Sequence, residues 1–533
     1  MRAAYGVDKL NLTGAGQTIV IIDAYQSPTI TSDLATFDNV FGLPAPPALN
    51  IIAPDGLTPF DQSDPNQTGW AGEITLDVEY AHAIAPGATI DLVLAKSSND
   101  PDIFSAEQYV ADHTLGGVVS MSYGEAEQCQ DPTIAAETQT LFAGASHAGM
   151  SWLAASADQG AAQPTCDGTS FFKAVSTPAS DPNVTGVGGT ILDANGSTGA
   201  YNGEVVWNEP DFAAAGGGGY STTNATPSYQ QSLGLPMRGV PDVAYNAAIV
   251  GGVLAVWSTS GQGANLVFQF GGTSAGSPQW AGLVALADQL AGHPLGAINP
   301  TLYKIASDPS FYASEFHDIT VGDNTFHGAV TIPGYPATSG WDPASGLGSP
   351  QAAALVPRLA YGDDVAPPVI TCGAPDGLWH KDNVSIQCTA SDSGSGLADP
   401  SQASFTLTTS VPAGQATSNA QTNSVQVCDK LNNCATAGPI SGIKVDRASP
   451  TVTLTTPADG ATYSLVASFL RPVRVRYSCS DVGSGIASCT GTIDNGDPLV
   501  TGLRSLGTHT FTVTATDKAG NVTTVTHTYR VVF

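Results

Sequence analysis

The alternation of short apolar runs with helical stretches is the strongest constraint on the fold of this 533-residue chain. Runs with the length and composition of buried strands occupy residues 17–24, 88–95, 117–123, 151–157 and 183–190. Stretches typical of helices lie between them, at residues 33–41, 70–85 and 133–149. This alternation predicts parallel βαβ units and therefore an α/β fold. Functional groups in such sheets collect at the carboxyl ends of strands, which is where Asp158 lies.

A strand-to-helix turn surrounds Ser274. Residues 265–270 form a short, mostly apolar run that predicts a strand, and residues 278–291 predict a buried helix. A serine between them can present its hydroxyl at a helix N-terminus, where backbone N–H groups meet developing negative charge. An ordinary serine helix cap explains the same pattern. A catalytic interpretation therefore requires partners elsewhere in the chain.

The acidic composition limits the possible partners. The chain has 17 Lys and Arg against 46 Asp and Glu, a net charge of −29, which argues against nucleic acid and anionic membranes. Charged residues make up only 12% of the chain, and Gly and Pro are abundant, which suits a loop-rich secreted protein. No apolar run is long enough to predict a membrane span. The first residues lack a signal-peptide pattern, so a secreted origin implies the removal of upstream segments.

The composition changes near residue 360, where Thr, Ser and Val begin to dominate. An Asp-x-Gly-Ser-Gly loop occurs twice, starting at Asp392 and Asp481, and an Asp-Lys pair occurs twice, at Asp429 and Asp517. The offsets of 89 and 88 residues indicate an internal repeat. Short Val/Thr-rich strands at this repeat length predict two Ig-like β-sandwich domains, at residues 362–446 and 447–533.

The eight cysteines predict disulfides in an oxidising compartment, because no Cys-x-x-Cys pair or Cys/His cluster indicates zinc. Two lie in the first 360 residues, Cys129 and Cys166, and are expected to pair there. Cys479 and Cys489 are alone in the last repeat and are also expected to pair. The pairing among Cys372, Cys388, Cys428 and Cys434 stays open.

Two acidic residues share one face of the helix predicted at residues 70–85. Glu73 and Asp77 are four residues apart, whereas His82 lies about 180° from Glu73 around the helix. Two carboxylates held together in a poorly solvated site cannot both ionise freely. Such a pair has the properties of a proton acceptor for Ser274, with Glu in the role that His has in a triad. His82 is expected to be a packing or surface residue.

The chain resembles the sedolisin family of serine-carboxyl peptidases. Gly272-Thr-Ser274 with Pro278 matches the nucleophile motif of that family, and Glu73-x-x-x-Asp77 matches its acidic helix. Asp158-Gln-Gly160 matches its oxyanion-hole motif. The resemblance covers residues 3–357 and implies a subtilisin-like, doubly wound, mostly parallel sheet with helices on both faces. The corresponding domain is predicted to span residues 1–361.

The resemblance also implies roles for these residues. Glu73 is the base for Ser274, Asp77 orients Glu73, and protonated Asp158 stabilises the oxyanion of an acid-active, monomeric, extracellular endopeptidase. A structural Ca²⁺ is implied, bound by the carboxylates of Asp318 and Asp342 and by the backbone carbonyls of Ile319, Thr338 and Gly340. The family usually has Gly where this chain has Thr338. The long propeptide of the family has no counterpart here, which predicts a processed or trimmed chain.

Two other functions stay open at this point. A conventional subtilase would use Asp23 and His82 with Ser274 and would work at neutral to alkaline pH. A non-catalytic secreted binding or adhesive protein would keep the peptidase scaffold without activity. For a peptidase, the substrates would be proteins or peptides, and the choice between endo- and tripeptidyl cleavage is open. The two C-terminal domains are candidates for binding substrate or a cell surface.

Overall fold

The chain divides into two units, Met1–Asp363 and Asp364–Phe533, in a computed structural model that describes residues 1–500 and 502–533. The first unit contains an eight-stranded sheet. Its strands are β1 Thr18–Ala24, β2 Leu49–Ile52, β3 Thr89–Ala95, β4 Val118–Met121, β5 Ser151–Ala155, β6 Val184–Ala194, β7 Tyr201–Val206 and β8 Val243–Asn246.

The sheet is doubly wound. Its strand order is β7-β6-β5-β4-β1-β3-β2, and β8 also pairs with β6. Every pair is parallel except β6 with β7. In β1, Ile22 is opposite Val93 of β3 and Met121 of β4. The predicted α/β class with a mostly parallel sheet is confirmed.

The helices of the first unit are α1 Ile30–Phe41, α2 Pro65–Ile84, α3 Asp100–His113, α4 Pro132–His147, α5 Gly276–Ala291, α6 Asn299–Ala306, α7 Pro309–Glu315 and α8 Ala352–Tyr361. They cover both faces of the sheet. Alternate residues of β1 demonstrate this, because successive side chains of a strand point to opposite faces. Ile19 and Ile21 pack in one core with α2, α5 and α8, and Val20 and Ile22 pack in another with α3 and α4.

The predicted buried helix begins two residues earlier than expected, at Gly276, and is buried from there to Asp288. The strand before it is Val267–Phe270, and it does not join the main sheet. It forms a separate antiparallel hairpin with Val253–Val256. Its alternately exposed side chains explain why it lies outside the buried layer of strands.

The second unit is rich in antiparallel β-structure. In residues 369–446 the sheets contain Val369–Cys372, Trp379–His380, Ser385–Ser391, Ser404–Thr408, Ala416–Ala420, Val425–Cys428, Cys434–Ala437 and Ile443–Asp446. In residues 451–532 they contain Thr451–Thr456, Thr462–Ser464, Arg476–Ser480, Ile486–Gly491, Gly507–Asp517 and Val522–Val532, with one short helix, Leu465–Leu470. The division at residue 447 and the Ig-like layout stay predictions.

The four disulfides include both pairs expected from the sequence, Cys129–Cys166 and Cys479–Cys489. The open set pairs as Cys372–Cys388 and Cys428–Cys434. In each of these two bridges the cysteines are directly opposite on neighbouring antiparallel strands. Among the described helices, none combines the length and apolar character that a membrane-spanning segment requires.

Candidate active site

Ser274 lies in a single 3₁₀ turn, Thr273–Ala275, directly before α5. The turn depends on Gly272, whose φ of +112° is a backbone conformation that other residues rarely adopt. A Cβ atom at Gly272 would lie 2.7 Å from Oδ2 of Asp158. The glycine therefore serves two purposes, since it permits the turn and leaves room for a carboxyl group beside Ser274.

Glu73 is the acidic residue beside the Ser274 hydroxyl. It lies on α2, and the Ser274 hydroxyl is close enough to form a hydrogen bond that lowers the pKa of Glu73. Burial is the larger effect and raises that pKa to about 7, with the charge of Asp158 acting in the same direction. A carboxylate with this pKa is a far stronger proton acceptor than an ordinary glutamate.

Asp77, one turn further along α2, is completely buried. Burial raises its pKa well above the usual range, and the charges of Asp23 and Glu73 raise it further. Neither carboxylate oxygen of Asp77 has a hydrogen-bond partner among the described residues, although the nearby Ser122 hydroxyl lowers its pKa somewhat. A carboxyl group in these surroundings keeps a proton and can share it with a neighbouring carboxylate.

Asp23 is a third carboxyl group in this cluster, although the sequence suggested it only as a member of a conventional subtilase triad. It is buried near the end of β1, and neither of its oxygens has a partner within the described part of the chain. Burial and the charge of Glu73 raise its pKa well above normal. The sequence feature that could have pointed to Asp23 is its place near the end of an apolar strand. The sequence did not show, however, that this strand lies beside α2.

Asp158 follows β5 and faces the same turn from the other side. Its Oδ1 accepts hydrogen bonds from the backbone N–H of Thr273 at 2.8 Å and from the Thr273 hydroxyl at 2.9 Å. Burial raises the pKa of Asp158 in spite of these bonds. Because Oδ1 accepts two hydrogen bonds, a proton on this carboxyl group belongs on Oδ2. The preceding residue, Ala157, has a φ of +92°, a strained conformation of the kind that occurs at functional sites.

Ser274 and Asp158 line one cavity of about 500 Å³. Its other walls come from the segment after β4, from the segment after β5, and from the Cys129–Cys166 disulfide. This cavity is large enough for a side chain next to a bond held between Ser274 and Asp158. The arrangement places a hydroxyl, a proton acceptor and a proton donor around one point.

His82 takes no part in this cluster. Its ring is buried, with Nε2 2.8 Å from the carbonyl oxygen of Pro44 and 3.1 Å from Oδ1 of Asp38. The structure therefore places His82 as a packing residue, as its position on the helix predicted. A conventional Ser-His-Asp triad would need this imidazole at Ser274, where Glu73 lies instead.

The residues predicted to bind calcium come together from two segments. Oδ1 of Asp318 accepts a hydrogen bond from the N–H of Gly340 at 3.1 Å, and Oδ2 of Asp342 accepts one from the N–H of Thr338 at 2.8 Å. Ile319 is buried nearby, against Ala344. Burial raises the pKa of Asp342. Two carboxylates and neighbouring backbone carbonyls form an oxygen-only donor set, which fits Ca²⁺.

Two further acidic groups lie in the second unit, and each brings together three carboxyl oxygens within 4.8 Å. They are Asp364, Asp392 and Asp429, and Asp446, Asp481 and Asp517. In the first copy, Asp392 accepts hydrogen bonds from the N–H groups of Gly394 and Gly396. Asp481 has the same role in the second copy, with Gly483 and Gly485. In both copies the aspartate therefore accepts the hydrogen bonds of a tight turn.

Comparisons with known proteins find peptidases similar to this chain. No protein-family model matches the chain. Kumamolisin from Bacillus sp. (strain MN-32) is 37% identical over 358 residues, which are 65% of this chain and 61% of kumamolisin. Sedolisin from Pseudomonas sp. (strain 101) is 33% identical over 354 residues, 63% of this chain and 57% of sedolisin. The chain thus spans about three fifths of the length of these relatives.

A solved structure gives the same result for the fold. Pseudomonas sedolisin, a serine-carboxyl proteinase complexed with two molecules of pseudo-iodotyrostatin, superposes with a TM-score of 0.56 and 29% sequence identity. The match covers 67% of this chain and 95% of the sedolisin chain. The main sheet and its helices therefore have the subtilisin-like fold of sedolisin, and together the relatives and the solved structure support the sedolisin family of peptidases for this chain.

Proposed function

We propose that this chain is a secreted, acid-active serine-carboxyl peptidase that hydrolyses peptide bonds through an acyl-enzyme on Ser274. The observation that carries the proposal is the closeness of Glu73 to the Ser274 hydroxyl, with Asp158 bonded to the neighbouring residue, Thr273. The similarity to peptidases of the sedolisin family supports it. The substrate is a protein or a peptide, cleaved as by an endopeptidase, and the enzyme is a monomer.

The reaction follows from the placement of the protons. Glu73 accepts the proton of the Ser274 hydroxyl as its oxygen attacks the carbonyl carbon of the scissile bond. Asp77 and Asp23 keep protons, so that no ionised neighbour opposes the negative charge of Glu73. The same proton then passes from Glu73 to the departing amine, and the acyl group stays on Ser274. A water molecule, deprotonated by Glu73, releases the acyl group as a carboxylic acid and restores the serine.

Asp158 stabilises the negative oxygen that develops in both steps. Only a protonated carboxyl group can donate a hydrogen bond from Oδ2, whereas an ionised one repels the oxyanion. The loss of one such donor typically costs about 10²–10³ in rate. Because burial raises the pKa of Asp158, the group keeps its proton to a higher pH than an ordinary aspartate. Activity is therefore expected to decline as pH rises through the pKa of Asp158.

We propose Asp318 and Asp342, with the carbonyls of Ile319, Thr338 and Gly340, as ligands of a structural Ca²⁺. The cation would neutralise two carboxylates that a short loop holds together. It would stabilise that loop and takes no part in bond cleavage.

The test compares pH profiles of kcat/KM for wild type, Ser274→Ala and Asp158→Asn on a denatured protein substrate. Ser274→Ala is expected to be inactive, because no other hydroxyl takes its place. Asp158→Asn is expected to lose much of the maximal rate, and its remaining activity should decline less steeply at alkaline pH, because an amide donates at any pH. Substantial turnover by Ser274→Ala would overturn the mechanism. Coinciding alkaline limbs for wild type and Asp158→Asn would remove Asp158 as the source of the pH limit.

A further inference from the structure

A second cavity, of about 240 Å³, lies beside the one that contains Ser274. Residues 123–125 line both cavities. The wall between them includes a short antiparallel pair, Glu125–Ala126 with Ser176–Thr177. Ser176 lines the cavity of Ser274 and Thr177 lines the second one. A peptide held at Ser274 along this wall therefore has access to both cavities.

Aromatic side chains and carboxyl groups line the second cavity. Trp70, Phe104 and Tyr123 contribute rings, and the rings of Trp70 and Tyr123 are 6.4 Å apart. Three acidic residues also line it, Asp100, Glu107 and Glu125, and the described lining contains no Lys, Arg or His. Aromatic faces and carboxylates are the two kinds of group that attract an organic cation.

In the part of the chain that the structure describes, two buried polar residues line this cavity, and one of them lacks a hydrogen-bond partner. Glu107 is 3% exposed and accepts a hydrogen bond from the Tyr123 hydroxyl at 2.8 Å. Thr138 is 5% exposed, and its hydroxyl has no hydrogen-bond partner in the described residues. Buried polar atoms without a partner are rare in proteins, because each costs free energy. A ligand that reaches this end of the cavity would supply the missing hydrogen bond.

The carboxyl groups of the cavity are hydrogen bonded to their neighbours and lie in a small volume. Burial raises the pKa of Glu107 to about 8, so in acid this group is neutral. Burial also raises the pKa of Glu125 to about 7, and Glu125 is hydrogen bonded to Asp100. In acid Glu125 therefore keeps its proton and donates it in the hydrogen bond to Asp100. The volume is below that of a typical site for a drug-sized ligand, so it fits a single side chain or chain end.

We propose that this cavity binds a positively charged nitrogen of the substrate and thereby selects where the peptidase cuts. The nitrogen belongs either to a Lys or Arg side chain or to the free amino terminus of the substrate. The aliphatic part of the ligand lies against Trp70, Phe104 and Tyr123, and the nitrogen donates hydrogen bonds to Thr138 Oγ1 and to the carboxyl groups. The inference rests on the proposed peptidase function and names its selectivity.

Two sets of peptides distinguish the two sources of the cation. In the first set, acetylated peptides carry one lysine, or norleucine in its place, at each position from four before to two after the scissile bond. In the second set, free and acetylated amino termini are compared at each distance from that bond. A charge-assisted hydrogen bond of this kind corresponds to about 10-fold or more in kcat/KM. We expect a preference of this size at one lysine position or at one terminus position.

Variants connect the preference to the cavity. Thr138→Val removes the hydroxyl that accepts a hydrogen bond from the nitrogen and keeps the shape of the side chain, and Asp100→Asn removes a carboxyl group at a less buried position. Each is expected to lower the preference at least several-fold without abolishing cleavage of the norleucine peptides. Glu137→Gln is the matched control, because Glu137 is exposed on α4 next to Thr138 and does not line the cavity.

Binding to the Ser274→Ala chain separates the failure of this inference from the failure of the peptidase function. Dissociation constants are measured for the preferred peptide and its norleucine or acetylated partner. If wild type cleaves the peptides without any preference and Ser274→Ala binds both members equally, the cavity has no such role and the peptidase function stands. If no peptide is cleaved but Ser274→Ala binds the cationic member about 10-fold tighter, the cavity has the proposed role and the peptidase function fails. Equal binding without cleavage overturns both.

Discussion

Glu79 provides a test of how buried acids determine the pH range in which this fold is stable. It lies on α2, is fully buried, and accepts a hydrogen bond on Oε2 from the N–H of Val256 at 2.9 Å. Its Oε1 has no partner among the described residues. Burial raises the pKa of Glu79 to about 9, and the charges of Asp33 and Asp38 contribute to the shift.

The sign of the effect follows from the two states of the chain. In the unfolded chain a glutamate has a pKa of about 4.3. Between that value and about 9, the folded state holds a proton that the unfolded state releases. The stabilisation is therefore complete below about pH 4 and is lost as pH rises towards 9. Each pH unit in this window lowers the free energy of unfolding by about 1.4 kcal/mol, so Glu79 alone accounts for about 4 kcal/mol between pH 5 and 8.

Glu79→Gln removes this dependence, because glutamine resembles the protonated acid in shape and does not titrate. In a Ser274→Ala background, which prevents self-digestion, urea unfolding is measured from pH 5 to 8. From pH 5 to pH 8 the free energy of unfolding of the Gln variant should fall by about 4 kcal/mol less than that of its parent. The variant should therefore be the more stable of the two at pH 8, relative to their difference at pH 5. Glu137→Gln, at an exposed position, should run parallel to the parent. Parallel curves for Glu79→Gln would refute the assignment of a retained proton to Glu79.

Three further predictions address the site, the cation and the second unit. Gly272→Ala should lower kcat/KM by about 10² or more, because its Cβ would displace Asp158, whereas Gly144→Ala, with open space around it, should keep wild-type activity. Asp342→Ala should lower the free energy of unfolding by about 1–3 kcal/mol. It should also remove any shift in melting temperature that a chelator causes in wild type. An equal chelator effect in both proteins would exclude this residue as a ligand. A chain that ends at Asp363 should cleave short peptides at a rate similar to that of the full chain, and loss of activity in a folded, shortened protein would mean that residues 364–533 complete the site.

The strands of the main sheet could be predicted from the sequence because they are buried on both faces. Such strands are continuous apolar runs, and β1, β3 and β5 lie within one or two residues of their predicted bounds. Helix α3 was not predicted, because its first turn contains Pro101 and two Asp residues and only Ala106, Glu107 and Val110 are buried. Its helical signal is weak because most of its surface faces solvent.

The four glycines at residues 216–219 show what the sequence could not reveal. Their composition is typical of a flexible loop or of an open edge for a bound peptide, but the structure buries them. The hydroxyl of Ser156 donates a hydrogen bond to the carbonyl of Gly217 at 2.7 Å. A Cβ atom at Gly217 would lie 1.9 Å from the carbonyl oxygen of Ser156. Glycine is required here by close packing between distant segments, which local composition does not encode.

The candidate site was predictable to the extent that its residues share local spacing. Glu73 and Asp77 lie on one face of a helix, and Ser274 follows a glycine turn, so each was found from its neighbours in sequence. The contribution of Asp23 and the hydrogen bonds from Thr273 to Asp158 depend on which strands and turns meet. Register between segments more than 50 residues apart determines those contacts, and a single sequence contains no direct record of it.

The buried acids of this chain predict two separable pH dependences, one of activity and one of stability. Asp23, Glu73, Asp77 and Asp158 form one group of buried acids near Ser274, and their protonation is proposed to control the chemistry. Glu79 lies on the same helix but bonds to Val256 rather than to the site, and its protonation affects only the stability of the fold. The alkaline decline of activity and the alkaline loss of stability are therefore expected to arise from different carboxyl groups, although desolvation raises the pKa of both. For this reason Glu79→Gln should extend the stability of the fold towards neutral pH. It should leave the pH at which activity declines unchanged, because Glu79 lies outside the group of acids near Ser274.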